Sequence, residues 1–99
     1  MKLEAKIETI LKKHPNKTML VQLLQNNAHT GCSVAKISDY SDHSYGYVHK
    51  YAPSDTYWVI SIWAAGPKGF GREYTVFFDR KGKFLTYHSY ELVSPGLDF

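Results

Sequence analysis

The final third of the chain constrains the fold most, because it consists of three β-rich segments joined by short connections. "TYWVISIWA", "REYTVFF" and "KFLTYHSYEL" are rich in β-branched and aromatic residues. "AGPKGFG" joins the first two, and "DRKG" joins the last two, with Gly82 available for positive φ. Both faces of the first segment are largely apolar, as expected of a central strand. The sequence therefore predicts three antiparallel strands over residues 56–92.

Two helices are predicted before these strands. The apolar residues of the first fall on one face at helical spacing: Leu3, Ile7, Ile10 and Leu11. The helix runs to about His14, and Pro15 ends it. Asn16 or Thr18 can cap a second helix through "MLVQLLQ", before the turn formers of "NNAHTG" break the pattern.

The length of 99 residues corresponds to one domain, because independently folding units have on the order of 100 residues. We predict an α+β domain over 1–99, with a mainly helical part at 1–55, the antiparallel β part at 56–92 and a short tail at 93–99.

The single cysteine, Cys32, cannot form an internal disulfide, and "MKLEAKIETILKKH" lacks the apolar core of a secretion signal. The expected location is therefore the reducing cytoplasm. The longest near-continuous apolar run, "YWVISIWAA", has nine residues, whereas a bilayer span needs roughly 20. No membrane partner is predicted.

The segment "GCSVAKISDYSDHSYGYVHKYA" has two interpretations. Ser33 can cap a helix with Val34 and Ile37 pointing inward, and Asp42 or Ser44 can cap another with Val48 and Tyr51 on its inner face. However, "YGYVHKY" also alternates as an edge strand does, and Gly46 costs a helix about 1 kcal/mol relative to alanine. Helix and strand both stay open for residues 44–51.

On the first interpretation, "SVAKISDYSDHSYGYVHKYA" resembles the helix-turn-helix of bacterial and phage DNA-binding regulators. Ile37 and Val48 stand where that family buries aliphatic residues, and Ser38 stands where the helix crossing requires a small one. With "MLVQLLQ" as the preceding helix and a hairpin as the wing, the arrangement is winged-helix-like. The departures from the family pattern are Ser41, Asp42 and His43.

The resemblance implies a recognition helix in the major groove of duplex DNA. The residues implied to contact base edges and phosphates are Ser44, Tyr45, Tyr47, His49 and Lys50. Further contacts to the DNA backbone would come from Lys36, from the lysine-rich first helix, and from a hairpin tip carrying Lys68 and Arg72. The resemblance thus predicts a small, non-enzymatic DNA-binding protein of transcription-regulator type.

The charge distribution is compatible with an anionic partner. Twelve Lys and Arg against nine Asp and Glu give a net charge of +3. Residues 1–18 carry five lysines against two glutamates. Residues 66–83 hold a second concentration of cations: Lys68, Arg72, Arg80, Lys81 and Lys83.

A protein partner is the main alternative. Two helices followed by an antiparallel sheet also describe small inhibitor, immunity and phage antagonist modules, which act by surface complementarity. Most aromatic residues of the sheet must lie in the core, since each ring buries about 150–250 Å². If Tyr87 or Tyr90 points outward, the sheet offers a partner an aromatic anchor.

A minor alternative is enzymatic. The layout, with "GFGRE" on one strand and "YHSYE" near the end, looks like the small microbial ribonucleases. That resemblance implies a carboxylate base, a histidine acid and phosphate-holding cations. Arg72 and His88 match two of these roles, and the acids available for the third are Glu73 and Glu91.

The sequence indicates no metal and no cofactor. No histidine pair has the spacing of a recognisable zinc site, and Cys32 stands alone. "GPKGFG" lacks the Gly-Lys-Ser/Thr ending of a phosphate-binding loop and lies between strands. The five histidines are therefore interpreted as surface or capping residues: His14, His29, His43, His49 and His88.

Overall fold

A computed structural model describes residues 3–25, 30–40, 46–65 and 71–92. Within these ranges the chain forms helices, a 3-10 turn and a sheet, which makes it an α+β fold. The elements in chain order are α1 (Leu3–Lys12), α2 (Lys17–Gln25), β1 (Thr30–Lys36), a 3-10 helix (Ile37–Asp39), α3 (Gly46–Tyr51), β2 (Trp58–Ala65), β3 (Gly71–Phe78) and β4 (Phe84–Leu92).

The first two helices confirm the prediction. After α1 the backbone of His14 turns to φ 51°, and Pro15 follows, so the helix cannot continue. The side-chain Oδ1 of Asn16 accepts the backbone N–H of Met19 at 2.8 Å. Asn16 is therefore the N-cap of α2, the first of the two capping residues proposed from the sequence.

The sheet is an antiparallel meander of order β1-β2-β3-β4. β2, β3 and β4 confirm the three predicted strands. Gly82 has φ +86° in the β3–β4 turn, as its position in "DRKG" predicted. The Asp79 carboxylate closes this turn by accepting the backbone N–H groups of Lys81 and Lys83, each at 2.9 Å.

The prediction of only three strands, with a helix starting at Ser33, is wrong. Residues 30–36 form β1, which pairs with β2 from Thr30↔Ala64 to Lys36↔Trp58. The strand forms here because it supplies hydrogen-bonding partners to the second edge of the mostly buried β2. A short 3-10 helix follows, so the described residues do not show the two-helix unit of the predicted winged-helix arrangement.

Helix was the correct alternative for the end of the segment, since α3 spans Gly46–Tyr51. Val48 is 1% exposed, as predicted for its inner face. It packs against Val59 and Phe77 in a cluster that includes partly buried residues of the 3-10 turn and β4. Val34, which was predicted to point inward, is 41% exposed on β1.

Each face of the sheet carries helices. Alternate residues of β2 and β3 point to opposite faces, and one set packs under α1 and α2. This larger core comprises Ile7, Leu11, Leu20, Leu24, Ile60, Ile62, Ala64, Tyr74, Val76, Phe78 and Phe84. The smaller cluster under α3 covers part of the other face. None of the described helices has the length and apolar character to cross a bilayer.

Candidate anion-binding site

Cationic side chains gather at the end of the sheet where β1 stops, β2 starts and the β3–β4 hairpin turns. Register places Lys36 beside Trp58, and Trp58 beside Phe78, the last residue of β3. α2 begins at the same end, because the Lys17 N–H donates to the Gly82 carbonyl at 2.9 Å. We call this surface the basic end; it comprises Lys17, Lys36, Tyr57, Trp58, Arg80, Lys81 and Lys83.

Two aromatic rings hold three of these cations. The Lys17 Nζ lies 4.5 Å from the centroid of the Trp58 ring. The Lys36 Nζ lies 5.9 Å from the rings of both Trp58 and Tyr57, and the Arg80 guanidinium carbon lies 5.6 Å from Tyr57. These distances are within the range of cation–π attraction. The rings thus attract these three cationic groups and favour their positions close to one another on the surface.

The basic end contains a pocket of about 360 Å³. The N-terminus of α2, the first residue of β2 and the β3–β4 hairpin form its walls. Its lining is His14, Asn16, Lys17, Thr18, Trp58, Arg80, Lys81, Gly82, Lys83 and Phe84. This lining contains four cationic residues and no acidic one, and the nearest acid in the hairpin is Asp79, whose carboxylate accepts backbone N–H groups within the turn. The described charges around the pocket are therefore mainly positive.

Gly82 fixes the hairpin against α2. Its φ of +86° is a conformation that side chains rarely adopt, and a Cβ there would lie 3.4 Å from the Cβ of Lys17. Trp58 adds a second link, since its indole N–H donates to the Arg80 carbonyl at 3.3 Å. The cations of the hairpin and of α2 are therefore presented from docked elements.

The cations of the basic end are not neutralised by ion pairs to described residues, and in this they resemble the other described lysines. None of its five cations forms an ion pair with a residue in the described ranges. By contrast, Arg72 donates to the Ser89 hydroxyl at 3.2 Å and lies 3.9 Å from the Glu91 carboxylate. Five like charges repel one another, and a bound anion would relieve that repulsion.

Four of the residues predicted to bind nucleic acid have described side chains, and these lie on different faces or ends of the sheet: Lys36, His49, Lys50 and Arg72. Lys36 belongs to the basic end. His49 and Lys50 are exposed on α3, on the other face of the sheet at the same end, and His49 Nε2 donates to the Tyr40 carbonyl at 2.7 Å. Ser44, Tyr45 and Lys68 lie outside the described residues, as does the side chain of Tyr47.

Arg72 lies in a strand directly after residues 66–70, which are outside the described ranges, and its contact with DNA stays a prediction. It is the second residue of β3, paired with Ala64 and Glu91 at the end of the sheet opposite the basic end. The β3–β4 turn, at the other end of the sheet, carries the exposed cations Arg80, Lys81 and Lys83.

A second group of polar residues lies on the α3 side of the sheet. We call it the polar face; it comprises Ser61, Glu73, Thr75, His88 and Tyr90. Register aligns Ser61, Thr75 and His88 across three strands, and Glu73 pairs with Tyr90 in the adjacent row. The Tyr90 hydroxyl donates to the Glu73 carboxylate, which is 7% exposed.

The polar face combines a carboxylate with an imidazole. Glu73 and His88 are diagonal cross-strand neighbours, so their Cβ atoms are roughly 7–8 Å apart. His88 stacks on Tyr51 of α3 with ring centroids 3.8 Å apart. Arg72 and Glu91 lie on the opposite face, because alternate residues of a strand point to opposite sides. Glu73 and His88 thus share one face of the sheet, with the Glu73 carboxylate largely buried beside Tyr90.

The described residues contain no cluster of three His, Cys, Asp or Glu side chains able to hold a metal ion. Comparison with known proteins gives no relative: no protein-family model, no curated protein and no solved structure matches the chain.

Proposed function

We propose that this protein binds duplex DNA, and that the basic end is its phosphate-binding surface. The observation that carries the proposal is the convergence of five cations, none of them ion-paired to a described residue, around Tyr57 and Trp58. Lysine and arginine on one surface supply the sequence-independent part of DNA affinity by releasing counterions from the phosphates.

The proposal differs from the helix-turn-helix interpretation in where the contacts lie. The β3–β4 hairpin would follow the DNA backbone with Arg80, Lys81 and Lys83, while Lys17 and Lys36 would contact neighbouring phosphates. α3 lies on the other face of the sheet, and β1 occupies the place of the helix that would have preceded it. Base reading by residues 44–50 stays a prediction that α3 alone does not support.

Fluorescence anisotropy with a labelled random duplex, measured over a range of salt concentrations, tests the proposal. Affinity should fall with salt at about 0.9 logarithmic units per decade for each neutralised phosphate. The double variant K81Q/K83Q should lower that slope by about 2. The control K6Q/K12Q removes the same charge from exposed positions of α1 and should change the slope by less. An equal decrease of the slope in both variants would mean that the net charge of the protein, and not the position of Lys81 and Lys83, determines the affinity.

A second candidate function is cleavage of RNA at the polar face. The placement of Glu73 and His88 on one face of neighbouring strands favours it, because a carboxylate base and a histidine acid then lie on the same side of the sheet. Glu73 would accept the proton of a 2′-hydroxyl as O2′ bonds to phosphorus. The bond from phosphorus to the 5′-oxygen would break, and His88 would protonate that oxygen.

Gel analysis of a labelled RNA incubated with the purified protein tests this second candidate. Cleavage should produce a 2′,3′-cyclic phosphate and be lost in both E73Q and H88A. R72Q should keep it, since Arg72 lies on the other face. An intact RNA after prolonged incubation with folded protein would remove the candidate.

The protein-partner alternative also stays a prediction. Tyr87 packs against the larger core, and the Tyr90 hydroxyl donates to Glu73. Trp63, at 39% exposed, is the large aromatic on β2 that offers most surface to a partner. A co-purified protein released by Trp63→Ala, with no DNA binding, would favour this alternative.

A further inference from the structure

We infer that the pocket of the basic end takes the terminal phosphate of a nucleic-acid strand, with a preference for it over an internal phosphodiester. The inference rests on the proposed function and specifies the part of the nucleic acid that enters the pocket. Three features of the pocket lead to it: its charge, its concave shape and its aromatic walls.

The charge of the pocket exceeds what an internal phosphate requires. Lys17, Arg80, Lys81 and Lys83 all line it. An internal phosphodiester carries a single negative charge, whereas a phosphate monoester carries about −1.5 to −2 near pH 7. With the Asp79 carboxylate in the same turn included, these residues still carry net positive charge. A second negative charge on the ligand gains from it, and only a terminal phosphate supplies that charge.

The shape of the pocket also favours a strand end. The pocket is a cleft open to solvent, and its volume of about 360 Å³ is at the lower end of the roughly 300–1,000 Å³ typical of ligand-binding clefts. The phosphates of a continuous duplex lie along a ridge and would meet only the rim. A terminal group can project inward from the end of a strand and reach the lining.

The walls offer both phosphate and nucleoside contacts. Asn16 and Thr18 belong to the start of α2, whose dipole adds partial positive charge, although the Lys17 and Met19 N–H groups are already bonded to Gly82 and Asn16. His14 is exposed and stacks on Phe84, with ring centroids 4.6 Å apart and an interplanar angle of 6°. Because Phe84 is largely buried and the Lys17 ammonium lies over Trp58, His14 provides most of the ring surface for a terminal sugar or base.

The experiment compares oligonucleotides of one sequence that differ only at the 5′ end. Each duplex is labelled at the far end and carries either a 5′-phosphate or a 5′-hydroxyl at the other, and anisotropy gives both dissociation constants. We expect the phosphorylated duplex to bind about tenfold more tightly. K17Q and R80Q should each reduce that ratio below about threefold, and K6Q should leave it unchanged.

The outcomes separate the two proposals. Equal affinity for both duplexes would overturn the terminal-phosphate inference and leave DNA binding intact. Binding of neither duplex would overturn both proposals. A preference retained in both K17Q and R80Q would place the terminal phosphate outside this pocket and also overturn the inference.

Competition distinguishes a strand end from a free small anion. A nucleoside 5′-monophosphate should displace the phosphorylated duplex at a lower concentration than inorganic phosphate does, because it adds contacts to the aromatic walls. Equal displacement by the two competitors would show that the pocket holds phosphate alone and would contradict the assignment to a nucleic-acid end.

Discussion

The ammonium group of Lys17 lies 4.5 Å from the centroid of the Trp58 ring, joining the first residue of α2 to the first residue of β2. The backbone N–H of Lys17 donates to the carbonyl of Gly82 in the β3–β4 hairpin. Three elements therefore meet at one residue. The hairpin brings Arg80, Lys81 and Lys83 to this point, and β1 brings Lys36 beside Trp58. The docking of these elements therefore assembles the proposed binding surface.

Removing hairpin charge should stabilise the free protein. Lys81 and Lys83 are exposed, and neither forms an ion pair with a described residue. Their substitution in K81Q/K83Q relieves repulsion among the cations of the basic end, so the free energy of unfolding should rise by about 0.5 kcal/mol at low salt. Urea denaturation measures it, with K6Q as the control. A clear decrease in the free energy of unfolding would mean that these lysines stabilise the fold more than their mutual repulsion destabilises it.

Gly82 should tolerate substitution poorly. Its φ of +86° costs a residue with a Cβ roughly 1–2 kcal/mol, so Gly82→Ala should lower the free energy of unfolding by about that amount. Gly82→Asn should cost less, because asparagine adopts positive φ more readily. Equal losses in the two variants would indicate that contact with the Lys17 Cβ, and not backbone conformation, limits the position.

The stacked pair of Tyr51 and His88 should hold α3 to the sheet. With ring centroids 3.8 Å apart, the pair should contribute about 0.5–1.5 kcal/mol beyond its buried area. His88→Ala should lose at least that much stability in urea denaturation, whereas His88→Phe keeps a ring and should lose less. Equal stability of both variants and the wild type would contradict the stacking.

Lys50 distinguishes the basic end from a recognition helix. It is exposed on α3, and its Nζ lies 5.6 Å from the Tyr51 ring. If the basic end binds the phosphates, Lys50→Gln should change the affinity for duplex DNA less than twofold, as measured by anisotropy. A loss of tenfold or more, with K81Q unaffected, would favour the helix-turn-helix interpretation.

The helices and hairpin could be predicted because local chemistry determines them. Pro15 and the Asn16 cap delimit α1 and α2, and Gly82 supplies the positive φ of the turn. The strand β1 was missed because Val34 and Ile37 also fit helical spacing, and only pairing with β2 decides between helix and strand. One signal was present: a β2 with two apolar faces requires neighbours on both edges, which three strands in sequence order do not provide.

The site was harder to predict than the fold. Lys17 and Lys81 are separated by more than 60 positions, and they meet only because the hairpin docks on the start of α2. The charge count identified the cation-rich segments without indicating which would converge. Likewise, the common face of Glu73 and His88 follows from strand register, which a single sequence fixes only once the turn geometry is known.

The most direct test of the proposed function is a map of backbone amide shifts during titration of the full chain with a short duplex DNA. If the basic end binds DNA, the largest shift changes should fall at Lys17, Lys36 and residues 80–83, and they should diminish as the salt concentration is raised. Shift changes confined to residues 46–51, or an unaltered spectrum at low salt, would contradict DNA binding at the basic end.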